Sequence, residues 1–352
     1  MYEFSVPMPY FTKHVDKLIN INKKVVKSKI TSLYFCLPKS CNLFTGFEQP
    51  RFDIKLNNFE YWKKLMIYSI NKGFDFIYLL NSPRQFESFI NLDLRLEKLN
   101  TLLIELKKIG INKLRITNPQ LLDYITENYS DFEVYASVSL DFKTLKEYIN
   151  FQSKYNNIKQ FVLSGETNKN FKLIKNLKKI YPETDFEIVV NQGCPMGCPY
   201  RKFHSQYENL YYQTKCDKLN CSILAEVDCI YPWEIKEYKK IGINKFKLVG
   251  REQNQFVRGE YIEYYYLYLN GIENIKNIQN IPIKYFINYM INADEFDYTI
   301  KEIKKFLPNI KHFKKYGHLC ASRCKAECRY CFKCAEKIQR VFEKKQKELN
   351  GL

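Results

Sequence analysis

The sequence predicts an α/β fold: a (β/α)8 TIM-like barrel with added C-terminal helices and a small cysteine-rich C-terminal segment. Three observations carry this expectation. Eight short β-rich runs, at 32–37, 74–80, 113–117, 133–137, 160–163, 186–190, 222–227 and 245–249, alternate with amphipathic stretches of helical period. An internal echo repeats one unit: the run from Lys107 to Ile116 closely matches that from Lys239 to Leu248, each reading as a helix end, a glycine suited to positive φ, and a strand. No GxGxxG follows the first candidate strand, which disfavours an open dinucleotide-binding sheet and leaves the closed barrel.

The helical stretches expected between strands lie at 60–71, 94–109, 119–128, 171–181 and 233–241, some with Pro or Asp near their starts. Beyond Arg251 the pattern changes to a tyrosine-rich helix over 261–268 and a second helical stretch around 294–306. From Tyr316 the chain carries a cysteine cluster and then a charged helix over 335–349. The expected organisation is a barrel over 1–251, a helical extension packed on it over 252–315, and a metal-binding appendage over 316–352.

Composition narrows the class. Of 352 residues 45% are hydrophobic and 27% charged, which excludes disorder, collagen and coiled coil as the main architecture. Apolar runs such as 76–80 fall far short of the roughly 18 residues of a membrane span. The first residues lack the basic and apolar regions of a signal peptide, so a cytoplasmic protein is expected. The net charge of +18 raises RNA as a partner. Abundant Lys, Asn, Ile, Tyr and Phe with little Ala, Gly and Pro is, however, the bias of an AT-rich genome. Many lysines fall in helical stretches such as 172–179 and 301–305, where they read as solvated faces.

Twelve cysteines say more than the charge does. Without a secretion signal, so many thiols read as metal ligands rather than disulfides. Five fall in a first cluster: Cys194 and Cys198 in the run Asn191-Gln192-Gly193-Cys194-Pro195-Met196-Gly197-Cys198-Pro199-Tyr200-Arg201, then Cys216, Cys221 and Cys229. That run directly follows the sixth candidate strand, hence the C-terminal rim where barrel active sites gather. Soft thiolates there select zinc or an iron-sulfur cluster. His204, close behind, reads either as a ligand or acid/base group or as an ordinary loop histidine. Four histidines are too few for a histidine-based centre, and neither GxSxG nor HExxH occurs. Cys36 and Cys41, after the first candidate strand, read as ligands, redox thiols or, foremost, plain packing residues.

The second cluster comprises Cys320, Cys324, Cys328, Cys331 and Cys334. Its CxxxCxYC spacing is the one that opens radical S-adenosylmethionine enzymes, but here it follows the barrel instead of lying inside it. An accessory metal centre is expected, with zinc and iron-sulfur both open.

These motifs together resemble the collagenase-like peptidase U32 family over roughly residues 30 to 252. The resemblance rests on Asn118-Pro119-Gln120-Leu121-Leu122, on Asn168-Lys169-Asn170-Phe171, on the cysteine loop with Cys198-Pro199-Tyr200-Arg201, and on Asp228-Cys229 leading to Phe246-Lys247-Leu248-Val249-Gly250-Arg251. The last stretch is similar to the family's LKIEGR signature, with Val249 in place of glutamate. The loop start Asn191-Gln192-Gly193-Cys194 departs from the family's HGAxC, and the C-terminal cluster lies outside its common core. The branch in view is that of oxygen-independent hydroxylases acting on ubiquinone precursors and RNA. It implies a 4Fe-4S cluster on Cys194, Cys198, either Cys216 or Cys221, and Cys229; the second iron-sulfur or zinc site expected at the C-terminus rests on the second cysteine cluster alone.

The leading expectation is therefore an iron-sulfur enzyme of hydroxylase type. In the related enzymes prephenate supplies the oxygen, and Arg251, at the end of the eighth candidate strand, reads either as the partner of a carboxylate of such a donor or as an ordinary surface ion pair. A U32-type peptidase acting on a peptide is one alternative. A noncatalytic iron-sulfur protein that binds a peptide or partner subunit through its tyrosine-rich helices is the other.

Overall fold

In the computed structural model the described residues are 1–48, 58–82, 92–163, 165–195, 227–250, 259, 261–286, 298–317 and 329–349. Eight parallel strands close a barrel. In chain order they are β1 (Tyr2–Pro7), β2 (Ser28–Phe35), β3 (Asp75–Leu80), β4 (Lys113–Ile116), β5 (Glu133–Ala136), β6 (Ile158–Leu163), β7 (Asp185–Val189) and, after a two-stranded excursion, β10 (Lys245–Lys247). Around the barrel β10 sits between β7 and β1. The excursion pairs β8 (Asn191–Pro195) antiparallel with β9 (Val227–Cys229).

Seven of the eight expected strands are barrel strands; the other assignment is corrected. The stretch expected over 222–227 lies outside the described residues except for Val227, which belongs to β9 and not to the barrel. The missing place is taken by β1. Its sequence, Tyr-Glu-Phe-Ser-Val-Pro, buries Phe4 and Val6 outward against helices and turns Glu3 and Ser5 the other way. A strand with a polar inner face lacks the continuous apolar run that marks a parallel strand. The cysteine loop therefore follows the seventh barrel strand, still at the C-terminal rim.

Connecting helices match the expected stretches closely: Phe59–Asn71, Leu92–Lys108, Pro119–Asn128 and Phe171–Ile180. The stretch expected over 233–241 is a 3-10 turn, Pro232–Glu234, running into the helix Ile235–Lys239. Helices Thr12–Lys24 and Leu145–Lys154 complete the ring. Each presents one apolar stripe to the barrel, as with Val15, Leu18 and Ile21 in the first.

The internal echo is two copies of one helix stop. Gly110 and Gly242 both sit at φ 84. At the first, Gly110 N–H donates to Lys107 O and Ile111 N–H to Leu106 O; at the second, Gly242 N–H donates to Lys239 O and Ile243 N–H to Tyr238 O. This is the Schellman pattern, and only glycine enters it without a Cβ penalty.

The lumen is defined by contacts that skip a strand. Arg115 on β4 meets Glu187 on β7 at 2.8 Å, although β5 and β6 lie between them in the sheet, so the contact crosses the interior. Ser5 Oγ on β1 donates to Glu187 Oε1 at 2.6 Å across β10, and the Lys247 ammonium on β10 lies 4.0 Å from the Tyr34 ring centre across β1. Tyr34, Cys36, Ile77, Leu79 and Tyr135 form a small apolar cluster apart from the main core.

Helix Tyr261–Glu273 and the segments beyond it pack on this barrel, Tyr268 reaching Phe4 at a ring separation of 6.0 Å. The charged C-terminal helix spans Tyr330–Leu349, so Cys331 and Cys334 lie in its first turns and not ahead of it. It joins the same core through Ile338 and Phe342, the latter against Tyr298. No helix is long and apolar enough to cross a membrane among the described residues.

The helix stop is directly testable. At Gly110 an added Cβ meets nothing within 4 Å, so any loss on substitution is backbone strain alone. Gly110→Ala should lower stability by about 1–2 kcal/mol and Gly110→Asn by less, in chemical denaturation. Equal stabilities for Ala and Gly would contradict the positive-φ reading.

Candidate functional site

The C-terminal rim gathers around one asparagine. Asn191 begins β8, and its side chain copies a strand edge: Nδ2 donates to Val249 O and Oδ1 accepts from Val249 N–H, both at 2.8 Å. Asn191 also stands opposite Cys229 in the β8–β9 ladder. One residue thus ties the start of the cysteine loop to the end of the last barrel strand and to Cys229.

Cys229 is buried, and its thiol donates to Phe286 O at 3.4 Å. Burial holds the thiol well above its ordinary value, while the nearby Lys169 ammonium pulls the other way. Lys169 is itself buried and comes from the turn after β6, between two structural asparagines. Asn168 Nδ2 donates to Val189 O at 3.1 Å and to Asp228 Oδ2 at 3.4 Å, and its carbonyl accepts from Tyr238. Asn170 Oδ1 caps helix Phe171–Ile180 by accepting from Leu173 N–H. Asn118 likewise caps Pro119–Asn128, so that motif works as a helix start.

Glu234 completes the group. Its carboxylate accepts from Tyr231 N–H at 2.9 Å, and burial pushes its pKa up to about 7 against the pull of Lys169 and that N–H. Two carboxyls, Asp228 and Glu234, and one ammonium therefore surround a buried thiol.

Of the sequence-predicted ligands, the structure describes few side chains. Cys194 lies on β8, next to the strand that ends in Cys229. Cys198, Cys216, Cys221, His204 and Arg251 fall outside the described residues, as do Cys320, Cys324 and Cys328. Cys331 and Cys334, three apart on a helix, share one face and are both buried. Among the described residues no three His, Cys, Asp or Glu side chains stand together as a ligand set. Cys36 and Cys41 are buried packing residues, Cys36 in the lumen cluster and Cys41 in the main core.

The charged lumen residues were not among the expected site residues. A signal existed: Lys113-Leu114-Arg115-Ile116, Asp185-Phe186-Glu187-Ile188 and Lys245-Phe246-Lys247-Leu248 alternate charge with apolar residues. Parallel barrel strands are normally apolar on both faces, so charge at period 2 marks a polar lumen.

No protein-family model matches the chain. It is 22% identical over 356 aligned positions to an uncharacterized protease of Methanocaldococcus jannaschii, covering 93% of this chain and 94% of that one. Among solved structures, the U32 peptidase Mk0906 aligns with 71% of the chain and 92% of its own length, at 10% identity and a TM-score of 0.48. N-acetylneuraminate lyase from Fusobacterium nucleatum aligns with 97% of each chain, at 12% identity and a TM-score of 0.37.

Glu234 sets a pH test. An acid whose folded pKa is raised is most favourable to folding below its ordinary value near 4.5, and that favour is lost as pH rises toward 7. Glu234→Gln keeps the acceptor and removes the charge. Its stability relative to wild type should therefore improve by roughly 1–3 kcal/mol between pH 5 and pH 8, in denaturant titrations. A difference that stays constant across this range would contradict the assignment.

Proposed function

From the chain's assignment to the peptidase U32 family, which its motifs and its end-to-end likeness to the methanogen protease support, we propose that it is an iron-sulfur enzyme of the oxygen-independent hydroxylase type. A 4Fe-4S cluster would be held at the barrel mouth by Cys194, Cys198, one of Cys216 and Cys221, and Cys229. The observation that carries this reading is Cys229: a buried thiol beside a buried ammonium, on the strand paired with the one that bears Cys194. The donor chemistry fits, since a thiol in apolar surroundings becomes a thiolate only with a compensating positive charge, and Lys169 supplies one. Bound there, the cluster would supply one-electron redox or substrate activation.

The protein's own residues supply the rest. Asn191 fixes the loop to the end of the last barrel strand, and Asn168 holds Asp228 against the rim. Phe286, whose carbonyl accepts from the Cys229 thiol, and Tyr268 of helix Tyr261–Glu273, whose hydroxyl donates to Ile230 O next to it, lie over the buried Cys229. Glu234, with a pKa near neutrality, is suited to take up or release a proton next to the thiolate.

A second reading, peptidase, is favoured by the name of the methanogen relative. One experiment separates the two. Anaerobically purified protein should be brown, and Cys229→Ala or Cys194→Ala should each lower its content by about four iron and four sulfide per chain. Zinc alone in colourless protein would refute the hydroxylase reading. Peptide cleavage that survives Cys229→Ala would establish the other.

A further inference from the structure

Two buried thiols stand where the C-terminal helix starts. Cys331 and Cys334 lie in the first turns of Tyr330–Leu349, one turn apart on one face, with exposures of 6% and 8%, and neither is in a disulfide. Two intervening residues is the spacing of a zinc-ligand pair. The surroundings are suited to thiolates. Cys331 is the second residue of a 20-residue helix, where the first N–H groups and the helix dipole favour negative charge. Arg329, Lys333 and Lys337 lie within four residues of one or other thiol. Burial nevertheless holds the Cys334 thiol above its ordinary value, against the pull of the Tyr330 hydroxyl and Lys337. A divalent cation removes that penalty, because it takes the place of the proton.

Tyr330 joins the pair to helix Ile310–Tyr316. Its hydroxyl accepts from Asn309 N–H, at the N-cap of that helix, at 2.9 Å, and its ring stacks on His312 at 3.8 Å and 15°. With Asn309 donating to it, the hydroxyl is left to donate to the Cys334 sulfur, as outer hydrogen bonds do to metal ligands. The same helix carries Phe313, whose ring lies 4.7 Å from the Lys169 ammonium.

Two thiolates leave a tetrahedral ion two ligands short, and among the described residues no third His, Cys, Asp or Glu joins them. The chain carries Cys320, Cys324 and Cys328 three to eleven residues before Cys331. We propose that Cys331 and Cys334 are two of the four thiolate ligands of a zinc ion, completed from these preceding cysteines, and that the ion clamps the C-terminal helix to helix Ile310–Tyr316. Residues three apart on a helix have Cβ atoms about 5–6 Å apart, so both sulfurs can reach one ion at the zinc–sulfur distance of about 2.3 Å. A 4Fe-4S cluster instead gives each thiolate its own iron. Closed by four thiolates, the zinc has no place for substrate and acts structurally. The site uses none of the residues assigned to the cluster at the barrel mouth.

The test is zinc and iron analysis of full-length protein purified anaerobically without added metal. Wild type should carry about one zinc per chain. Cys331→Ser and Cys334→Ser should each lower zinc by about tenfold or more and leave iron unchanged, whereas Cys41→Ser should leave both. Loss of zinc should speed amide hydrogen exchange in helix Ile310–Tyr316 by about tenfold and leave the barrel strands as they are. If the serine variants do not fold, cobalt(II) exchanged into wild type decides: thiolate-to-cobalt charge-transfer absorption upholds the site, and its absence overturns it. Unchanged zinc in a folded Cys334→Ser, or loss of iron in place of zinc, also overturns it. Unchanged exchange in the zinc-free protein overturns the clamp. Zinc without iron in the wild type upholds this site while removing the hydroxylase reading, and iron without zinc does the reverse.

Discussion

The contact between Arg115 and Glu187 governs how this barrel closes. An apolar lumen would close by simple packing, but here a guanidinium and a carboxylate meet in a buried interior, with exposures of 0% and 3%. Removing two such charges from water costs several kcal/mol each, and attraction repays it only when both partners are present. Deleting one partner of a pair like this costs about 3–5 kcal/mol, because the other is left charged and buried. Burial alone would raise the Glu187 carboxyl, yet Arg115, Lys247, Ser5 and Lys245 together hold it below its ordinary value. Four side chains from three other strands, β4, β10 and β1, are thereby committed to one oxygen pair on β7. The strand order permits this, since β10 lies between β7 and β1 and so brings Lys247 and Ser5 to the same carboxylate.

Much of this was legible in the sequence. Glycines at helix ends act locally, so Gly110 and Gly242 announced the repeating unit through the residues beside them. Asn118 before Pro119 announced a helix start in the same way. The first strand was not legible, because its inner face carries Glu3 and Ser5, and their reason for being there, Lys245 and Glu187, lies more than 180 residues away. The cysteines were legible as a group since their chemistry is unusual wherever they fall. Of the residues that tune them, Asp228 adjoins Cys229 in the chain, but Lys169, from the turn after β6, meets it only after the rim has formed.

The rim also joins parts of the chain that sequence separates. Helix Ile310–Tyr316 rests on the turn after β6: the Phe313 ring lies 4.7 Å from the Lys169 ammonium, and Gly317 abuts the Lys169 carbonyl so closely that a Cβ would stand 1.9 Å from that oxygen. Only glycine fits there without moving the turn. A second tether, Lys314 to Glu237 at 2.9 Å, fixes the same helix to the segment that follows Cys229. The residue that compensates the Cys229 thiol is thus held from one side by the barrel and from the other by the start of the C-terminal region. Displacing that helix would shift the Lys169 ammonium and, with it, the charge balance at the thiol. The C-terminal region thus reaches the rim through Lys169, the ammonium that acts on the Cys229 thiol.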